Sequence, residues 1–295
     1  MKQLTVTSGK GGTGKTSVVA SLAALASDAV LADCDVDAAD LHLVLSPTER
    51  RREPFAAGHL AVVDEKACTG CRLCAEHCRF GAIEMSSDVA VVNPYACEGC
   101  GVCDLVCTSD AIRLVETEVG EWFISDTRFG ALVHARLRPG AENSGKLVSV
   151  VRREARDEAT RSGARTVLID GSPGIGCPVI ASLTGADLAL AVTEPTLSAQ
   201  HDLERVHGVA RILRTPMVVT INRWDINLEV SHAIEEWCHK EGLPVVGLIP
   251  YDSAVTRAQI EGRSVVEASD GAAAAALRLM WKRVADLLSR AVKEA

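Results

Sequence analysis

A phosphate-binding motif near the start of the chain constrains the fold more than any other feature of the sequence. The string "GKGGTGKT", from Gly9 to Thr16, matches the pattern G-x-x-x-x-G-K-[ST]. It follows a strand-like run, "QLTVTS", and precedes a helical pattern of apolar residues, which is the setting that this motif requires. The chain is therefore predicted to begin with a strand, a glycine-rich loop and a helix, the first unit of an α/β fold.

The same loop predicts a nucleotide site. Its glycines allow backbone N–H groups to surround phosphate oxygens, and the start of the helix adds a partial positive charge. We expect Lys15 to reach the β- and γ-phosphates and Thr16 to ligate Mg²⁺. The candidate binding residues are Gly9, Lys10, Gly11, Gly12, Thr13, Gly14, Lys15, Thr16 and Ser17.

Short β-type runs alternate with helix-length stretches along most of the chain. The expected strands, rich in Val, Leu and Ile on both faces as buried parallel strands are, are Leu4–Thr7, Val30–Asp33, Thr166–Asp170, Leu188–Thr193, Met217–Asn222 and Val245–Ile249. The expected helices are 15–27, 146–162, 178–184, 198–214, 229–241 and 271–293. This alternation predicts a doubly wound, mostly parallel sheet.

A cysteine-rich segment interrupts the alternation. We expect an inserted α+β domain at 56–115, within a domain formed by 1–55 and 116–295. Short strand-like runs flank two similar cysteine runs, which indicates an internal repeat. Residues 117–145, rich in Gly, Pro and polar side chains, are interpreted as an extended connection, and the pair Asn143 and Ser144 as the cap of the next helix.

Each cysteine run has the spacing C-x₂-C-x₂-C-x₃-C, which is that of bacterial ferredoxins with two [4Fe–4S] clusters. In that pattern the fourth cysteine of each run ligates the other cluster. This assigns one cluster to Cys68, Cys71, Cys74 and Cys107, and the second to Cys97, Cys100, Cys103 and Cys78. Arg79 and Thr108 stand where the pattern has a proline, which is not a ligand. Zinc is disfavoured, because its cysteine ligands usually form two pairs separated by a longer loop.

A second lysine within the loop, Lys10, gives the string "KGGTGKT", which resembles the deviant Walker A ATPases. That family includes the Min and Par positioning ATPases and the nitrogenase iron protein. The resemblance implies an ATP-bound dimer, with itself or with a related ATPase, in which Lys10 reaches the nucleotide of the other subunit. "VLADCDVDAADLHLVL" resembles the first switch, where Asp35 would orient the attacking water. "TVLIDGSPGIG" resembles the second switch, where Asp170 would hold Mg²⁺ through a water and Gly174 would let the backbone follow the γ-phosphate.

Two further segments resemble the base-binding part of that family. "VVTINRWD" places Asn222 at the end of a strand, and the resemblance implies that this amide reads adenine. "GLIPYD" resembles the loop on the far side of the base, which adds Pro250, Tyr251 and Asp252. Taken singly, Asp35 is as compatible with a helix cap, and Asn222 with a turn residue, as each is with its functional role. By resemblance, the catalytic residues of a slow, partner-stimulated, Mg²⁺-dependent ATP hydrolysis are Lys10, Lys15, Asp35 and Asp170.

Charge and cysteine usage narrow the partners and the compartment. The net charge of −8 disfavours a nucleic-acid or anionic-membrane surface. No apolar run approaches the ~20 residues of a membrane span. With no recognisable signal peptide, we expect a reducing cytoplasm, where eleven cysteines indicate metal rather than disulfides. Cys34, Cys177 and Cys238 are interpreted as structural, with a transient metal or cluster ligand as the alternative for Cys177. The C-terminal helix is expected to pack on the sheet rather than on a membrane.

These features predict an ATP-binding iron–sulfur protein whose cofactors are ATP or ADP, Mg²⁺ and two [4Fe–4S] clusters. Because the insert lies between Asp35 and Asp170, a switch that responds to γ-phosphate would be linked to the clusters. The first hypothesis is a nucleotide-gated dimer coupled to electron transfer, or to iron–sulfur or metallocofactor assembly, with a redox or assembly protein as partner. The alternative is a positioning or scaffolding ATPase whose clusters are structural or redox-sensing.

Overall fold

The computed structural model describes residues 1–141 and 145–291. These residues form two compact units. The large unit contains residues 1–53, 122–136 and 145–291, and the small unit contains residues 54–121 and 137–141. The small unit extends beyond the insert expected at 56–115, because strands rather than loops carry the chain across the boundary. Asn143 and Ser144, interpreted as a helix cap, lie outside the described residues.

The strands and helices follow one another in α/β order through the large unit. The strands are β1 Lys2–Ser8, β2 Ala29–Asp33, β3 Thr48–Val63, β4 Ile83–Ser86, β5 Val89–Val92, β6 Ile112–Thr127, β7 Gly130–Leu137, β8 Thr166–Pro173, β9 Leu188–Thr193, β10 Met217–Asn222 and β11 Val245–Ile249. The helices are α1 Lys15–Leu25, α2 Leu41–Leu45, α3 Leu73–His77, α4 Val102–Leu105, α5 Lys146–Ser162, α6 Cys177–Leu183, α7 Leu197–Ile212, α8 Leu228–Lys240, α9 Ser253–Ile260, α10 Val265–Ala268 and α11 Ala272–Arg290. A short 3₁₀ helix, Trp224–Ile226, follows β10.

Nine strands form one sheet in the order β11-β10-β9-β1-β8-β2-β7-β6-β3. From β11 to β7, neighbouring strands are paired in parallel. The carboxyl ends of β1, β2, β8 and β10 therefore meet at one edge of the sheet, where α/β proteins bind their ligands. The register places Asp33 of β2 directly beside Asp170 of β8.

Two apolar clusters cover the two faces of this sheet, as expected for a doubly wound fold. In β9, Leu188, Leu190 and Val192 belong to one cluster, and Ala189 and Ala191 belong to the other. This alternation is the period-two geometry of a strand that is buried on both sides. The first cluster is completed by residues of α1, α2, α10 and α11, and the second by residues of α6, α7 and α8.

The C-terminal helix, α11, packs against the sheet, which confirms the interpretation from its sequence. Leu277, Met280 and Val284 are buried in the first apolar cluster. Among the described residues, none of the helices has the length and apolar character needed to cross a bilayer.

The prediction of an extended connection at 117–145 was wrong. Most of this stretch lies in β6 and β7. Its Gly, Pro and polar residues suggested a loop, but the polar residues of β6 and β7 alternate with side chains that are partly or fully buried. Trp122, Phe123 and Leu132 belong to the interior. The short helices α2, α9 and α10 were not predicted either.

The small unit contains two halves with matching backbone hydrogen bonds. The N–H of Asp64 donates to the carbonyl of Ala111 at 2.7 Å, and the N–H of Asn93 donates to the carbonyl of Ala82 at 2.7 Å. One short helix follows in each half, α3 in the first and α4 in the second. The two halves are joined by the antiparallel hairpin of β4 and β5. The equivalent hydrogen bonds in the two halves are consistent with an internal repeat.

Candidate functional sites

The phosphate-binding loop joins the end of β1 to the start of α1, and two of its glycines are required by close neighbours. A Cβ at Gly14 would lie 2.3 Å from the Nδ2 atom of Asn222, and Gly14 also has a positive φ of +90°. A Cβ at Gly9 would lie 2.4 Å from the Cβ atom of Asp202. Any larger residue at these positions would displace the loop or its neighbours.

Lys15 lies between two carboxylates at the carboxyl edge of the sheet. Its Nζ atom is 2.6 Å from an oxygen of Asp170 and 3.1 Å from an oxygen of Asp35, and the lysine is only 6% exposed. Burial by itself would lower the pKa of Lys15, but the charges of Asp170 and Asp35 more than offset it, so the pKa is raised. The lysine is therefore fully charged and ready to bind an anion.

A third carboxylate, Asp33, completes this group and was not singled out from the sequence. It is fully buried at the end of β2, and its oxygens accept hydrogen bonds from the backbone N–H of Asp35 at 3.2 Å and of Leu41 at 3.3 Å. Burial, and then the charge of Asp170, raise the pKa of Asp33. Burial is also the largest cause of the raised pKa of Asp35. Three acidic side chains therefore surround a single ammonium group.

One oxygen of this group has no partner. Asp170 is only 1% exposed, and its buried Oδ2 atom accepts no hydrogen bond. A buried carboxylate oxygen without a donor is unfavourable unless a cation or water completes it. Thr16, half-buried at the start of α1, is the hydroxyl expected on the same cation. The donor set of carboxylate and hydroxyl oxygens suits Mg²⁺.

The two expected switch segments contact each other through backbone groups. The N–H of Cys34 donates to the carbonyl of Asp170 at 2.8 Å, and the hydroxyl of Ser172 donates to the carbonyl of Cys34 at 2.7 Å. The N–H of Gly174 donates to the carbonyl of Ser8 at 2.8 Å, which ties the second segment to the start of the phosphate-binding loop. A displacement of either segment would therefore strain or break hydrogen bonds to the other segment.

Lys10 is held within its own chain. Its Nζ atom is 2.9 Å from an oxygen of Glu194 and within hydrogen-bond distance of the hydroxyls of Thr196 and Ser198 at the start of α7. The second oxygen of Glu194 is 3.4 Å from the guanidinium of Arg223. Glu194 therefore links Lys10 to the residue that follows Asn222.

Asn222 lies at the phosphate-binding loop, where its Nδ2 atom donates to the carbonyl of Thr13 at 2.8 Å. Tyr251 is exposed, and its backbone N–H donates to Asp225, which was not singled out from the sequence. Asp252 caps α9 by accepting a hydrogen bond from the N–H of Ala254 at 2.8 Å. The amide of Asn222 thus supports the loop directly.

The helix α9 also contacts the loop region through a residue that the sequence did not indicate. The Nε2 atom of Gln259 donates to the hydroxyl of Ser17 at 2.7 Å. Pro250, which precedes α9, is half-buried. The helix α9, which follows the segment expected to line the base, is therefore anchored at its start through Asp252 and near its end through Gln259.

The eight patterned cysteines line two cavities of the small unit. One cavity has an empty volume of about 340 Å³, and its cysteines are Cys78, Cys97, Cys100 and Cys103. The other has an empty volume of about 320 Å³, and its cysteines are Cys68, Cys71, Cys74 and Cys107. The structure thus brings each expected ligand set together around one space, with three cysteines from one run and the fourth from the other.

The fourth cysteine of each run accepts a backbone hydrogen bond at sulfur. The N–H of Ala82 donates to Cys78 Sγ at 3.3 Å, and the N–H of Ala111 donates to Cys107 Sγ at 3.2 Å. Burial would raise the pKa of Cys107, but hydrogen bonds from Ser109 and from the backbone outweigh it, so the pKa is lowered. Such bonds stabilise a thiolate, which is the form that binds metal.

The cysteines of each cavity surround a volume and do not converge on a point. Among residues 1–141 and 145–291, no three His, Cys, Asp or Glu side chains are placed so that they could hold one metal ion.

The remaining cysteines lie in the large unit. Cys34 and Cys238 are buried, and burial raises the pKa of both, that of Cys238 to about 12. Cys177 is exposed at the start of α6. Burial agrees with the interpretation of Cys34 and Cys238 as structural residues. Cys177 is exposed, so burial does not support that interpretation for Cys177.

A glycine-rich loop at the end of a central parallel strand, with a buried lysine and switch carboxylates around it, defines a P-loop nucleotide-binding protein. The chain belongs to the family described as the CobQ/CobB/MinD/ParA nucleotide binding domain, whose model matches residues 4–265. This family is the one that the strings around Lys10, Asp35 and Asp170 resemble.

The chain is also similar to individual proteins. The chain is 32% identical over 228 residues to the uncharacterized protein MJ0578 of Methanocaldococcus jannaschii, covering 76% of this chain and 79% of that protein. The fold is similar to that of the septum site-determining protein MinD of Pyrococcus horikoshii in complex with Mg-ADP, with a TM-score of 0.59, 17% identity and 99% of both chains covered. It is also similar to the MinC:MinD cell division complex of Aquifex aeolicus, with a TM-score of 0.57 and 18% identity, covering 97% of this chain and 96% of that chain.

Proposed function

We propose that this protein is an ATPase of the MinD/ParA type that carries two [4Fe–4S] clusters in its small unit and couples its nucleotide state to them. The observation that carries the proposal is the pair of cavities, each lined by four cysteines, in a chain of a nucleotide-binding family. The coupled process would be electron transfer or the assembly of an iron–sulfur or other metallocofactor, with a redox or assembly protein as partner.

The nucleotide half of the proposal follows from the charges at the sheet edge. Phosphate would draw the ammonium of Lys15 away from Asp170 and Asp35, which lie 2.6 Å and 3.1 Å from it. Asp170 would then hold Mg²⁺ through a water, together with the hydroxyl of Thr16. Asp35, released from Lys15, would orient the water that attacks the γ-phosphate. In an ATP-bound dimer, with itself or with a related ATPase, Lys10 would leave Glu194 and reach across the subunit boundary.

The cysteine half of the proposal follows from the shape of the two cavities. Cys68, Cys71, Cys74 and Cys107 would hold one cluster, and Cys97, Cys100, Cys103 and Cys78 the other. A cluster is larger than a single ion, so sulfurs that surround a volume fit it better than they fit zinc. The clusters, when bound, would supply one-electron oxidation and reduction.

A second candidate is a positioning or scaffolding ATPase whose clusters are structural or redox-sensing. The comparisons favour this candidate over the coupled one, because the solved structures of similar fold include MinD alone and in complex with MinC. The two candidates share the ATPase and the clusters, and they differ in whether the clusters respond to nucleotide.

The presence of clusters is tested first. Protein purified anaerobically is expected to contain about eight iron and about eight acid-labile sulfide per chain. One or two equivalents of zinc without sulfide would overturn the iron–sulfur part of both candidates and leave the ATPase part standing.

A further inference from the structure

The two cysteine cavities have different mouths. Glu98 follows the first cysteine of the second run, and Phe80 lies two residues after Cys78; both line the cavity of the second run, together with Val102. The other cavity is lined at the equivalent places by Thr69 and Ser109, together with Arg72. One mouth is therefore apolar and carries the acidic Glu98, and the guanidinium of Arg79 lies 5.8 Å from the centroid of the Phe80 ring. The other mouth is polar and basic.

The helix α4 adds exposed apolar side chains at the mouth of the second-run cavity, the one lined by Cys97, Cys100 and Cys103. Val102 is 37% exposed, Leu105 is 85% exposed, and Phe80 is 42% exposed. Val102 and Leu105 lie on the same side of the helix, because residues three apart are neighbours on a helix surface. We call the group of Phe80, Glu98, Val102, Asp104 and Leu105 the second-run face.

The equivalent residues of the first run lack this combination. Ala75 and Glu76 stand where the second run has Asp104 and Leu105. Exposed large apolar side chains that cluster beside charged ones are a mark of interaction sites. The second-run face has exposed large apolar side chains beside charged ones, and the equivalent part of the first run does not.

We propose that the second-run face docks a redox protein whose surface has an apolar centre ringed by basic side chains. Electrons would leave the small unit through the cavity of Cys78, Cys97, Cys100 and Cys103. In each transfer one electron leaves a reduced cluster, and one acceptor centre in the partner is reduced by one electron. This inference rests on the proposed function, because it requires the clusters.

Charge and polarity favour such a partner over a second copy of this chain. The basic mouth of another copy would offer Arg72 to Glu98 and Asp104, but its other mouth residues, Thr69 and Ser109, are polar. It would therefore match the charge of the second-run face and leave Phe80, Val102 and Leu105 without an apolar complement. A small face of this kind suits a transient redox encounter, which typically buries less than ~1,200 Å².

The test uses the oxidised holo-protein and, as probe, a ferric cytochrome c whose haem edge is ringed by lysines. Binding is measured by calorimetry at low and at moderate ionic strength. The double variant Glu98→Thr with Asp104→Ala takes the residues of the equivalent first-run positions, and it is expected to weaken binding about tenfold at low salt and to flatten the salt dependence. Leu105→Ser is expected to weaken binding at both ionic strengths, because an apolar contact is not screened by salt.

The matched control removes the same charge from the other run. Glu65→Ala with Glu76→Ala is expected to change the affinity less than twofold, and cytochrome c with acetylated lysines is expected to lose its affinity for the wild type. The rate of haem reduction is then measured with protein that has been reduced by dithionite and freed of excess reductant. It should be similar for the wild type and the control variant, and lower for the second-run double variant and for Leu105→Ser. Equal weakening by both double variants, or no binding by the wild type, would overturn the docking face. Iron and sulfide are measured in every sample, so that an absence of clusters is recognised separately as failure of the proposed function.

Discussion

At the scale of single residues, Lys15 determines the charge balance of the nucleotide site. It is the ammonium that faces Asp35 and Asp170, with Asp33 buried beside them. Removing one member of a buried ion pair leaves the other charge uncompensated, at a cost of ~3–5 kcal/mol. Lys15→Ala is therefore expected to lose ATP binding and, without nucleotide, to be destabilised by that order at pH 7.5.

The same variant has a predictable pH dependence. The pKa values of Asp33 and Asp35 are raised in the folded protein, so the folded state binds protons at a pH where the unfolded chain has released them. This contribution stabilises the fold at low pH and is lost as the pH rises through the folded pKa. Without Lys15 both pKa values rise further, so Lys15→Ala should lose more stability between pH 5 and pH 7.5 than the wild type does.

The measurement is the midpoint of urea unfolding at both pH values, followed by far-ultraviolet circular dichroism. Lys10→Ala is the control, because it removes a lysine from the same loop that is partly exposed. A loss of stability in Lys15→Ala that is equal at pH 5 and at pH 7.5 would contradict the charge argument.

Glu194 is a second residue with a testable effect, because it holds Lys10 within its own chain at 2.9 Å. If Lys10 acts across a subunit boundary, this contact opposes dimer formation. A partly exposed ion pair contributes ~0.2–1 kcal/mol. Glu194→Gln is expected to lower the dissociation constant of the dimer with a non-hydrolysable ATP analogue by up to about fivefold, measured by sedimentation velocity. In the Lys10→Ala background the substitution at Glu194 should have no such effect, and a gain there would show that it acts by another route.

At the scale of elements, each half of the small unit contributes one cysteine to the cavity of the other half. Cys78 belongs to the first run but lines the cavity of the second. Cys78→Ser is therefore expected to reduce the iron content from about eight to about four per chain and to leave the cluster of Cys68, Cys71 and Cys74 in place. Iron and sulfide analysis, with electron paramagnetic resonance of the reduced protein, measures this. Cys177→Ser, outside both runs, should leave the iron content unchanged, and a Cys78→Ser protein that keeps its full iron would refute the assignment.

The sequence allowed the elements with local signals to be predicted. The strands β9, β10 and β11 and the helix α5 begin and end where their apolar patterns do, because burial on both faces or on one stripe leaves a clear period. The strands β6 and β7 were missed, since their burial depends on neighbours that are distant in the chain. Asp33 was missed for a related reason: its place beside Asp170 is set by the register of β2 with β8.

At the scale of the whole molecule, β7 contacts the first switch segment within the large unit. β7 pairs with β2, through Leu31 beside Leu132. The ring of His134, on β7, is stacked on that of His42, on α2, with 6.3 Å between centroids. A movement of the segment that carries Asp35 would therefore be transmitted to β7.

The last prediction concerns this linkage. If ATP interacts differently with the oxidised and the reduced protein, reciprocity requires ATP to shift the cluster potential. A coupling of ~1.4 kcal/mol corresponds to a shift of ~60 mV for a one-electron couple. A non-hydrolysable ATP analogue should produce the shift in an anaerobic redox titration, and ADP should produce less of it, because only the γ-phosphate holds the switches. Lys15→Ala, which is expected to keep the proposed clusters and to lose nucleotide binding, should show none. Identical potentials with analogue, ADP and no nucleotide would mean that the clusters do not sense the ATPase, and the positioning or scaffolding candidate would then account for the protein better.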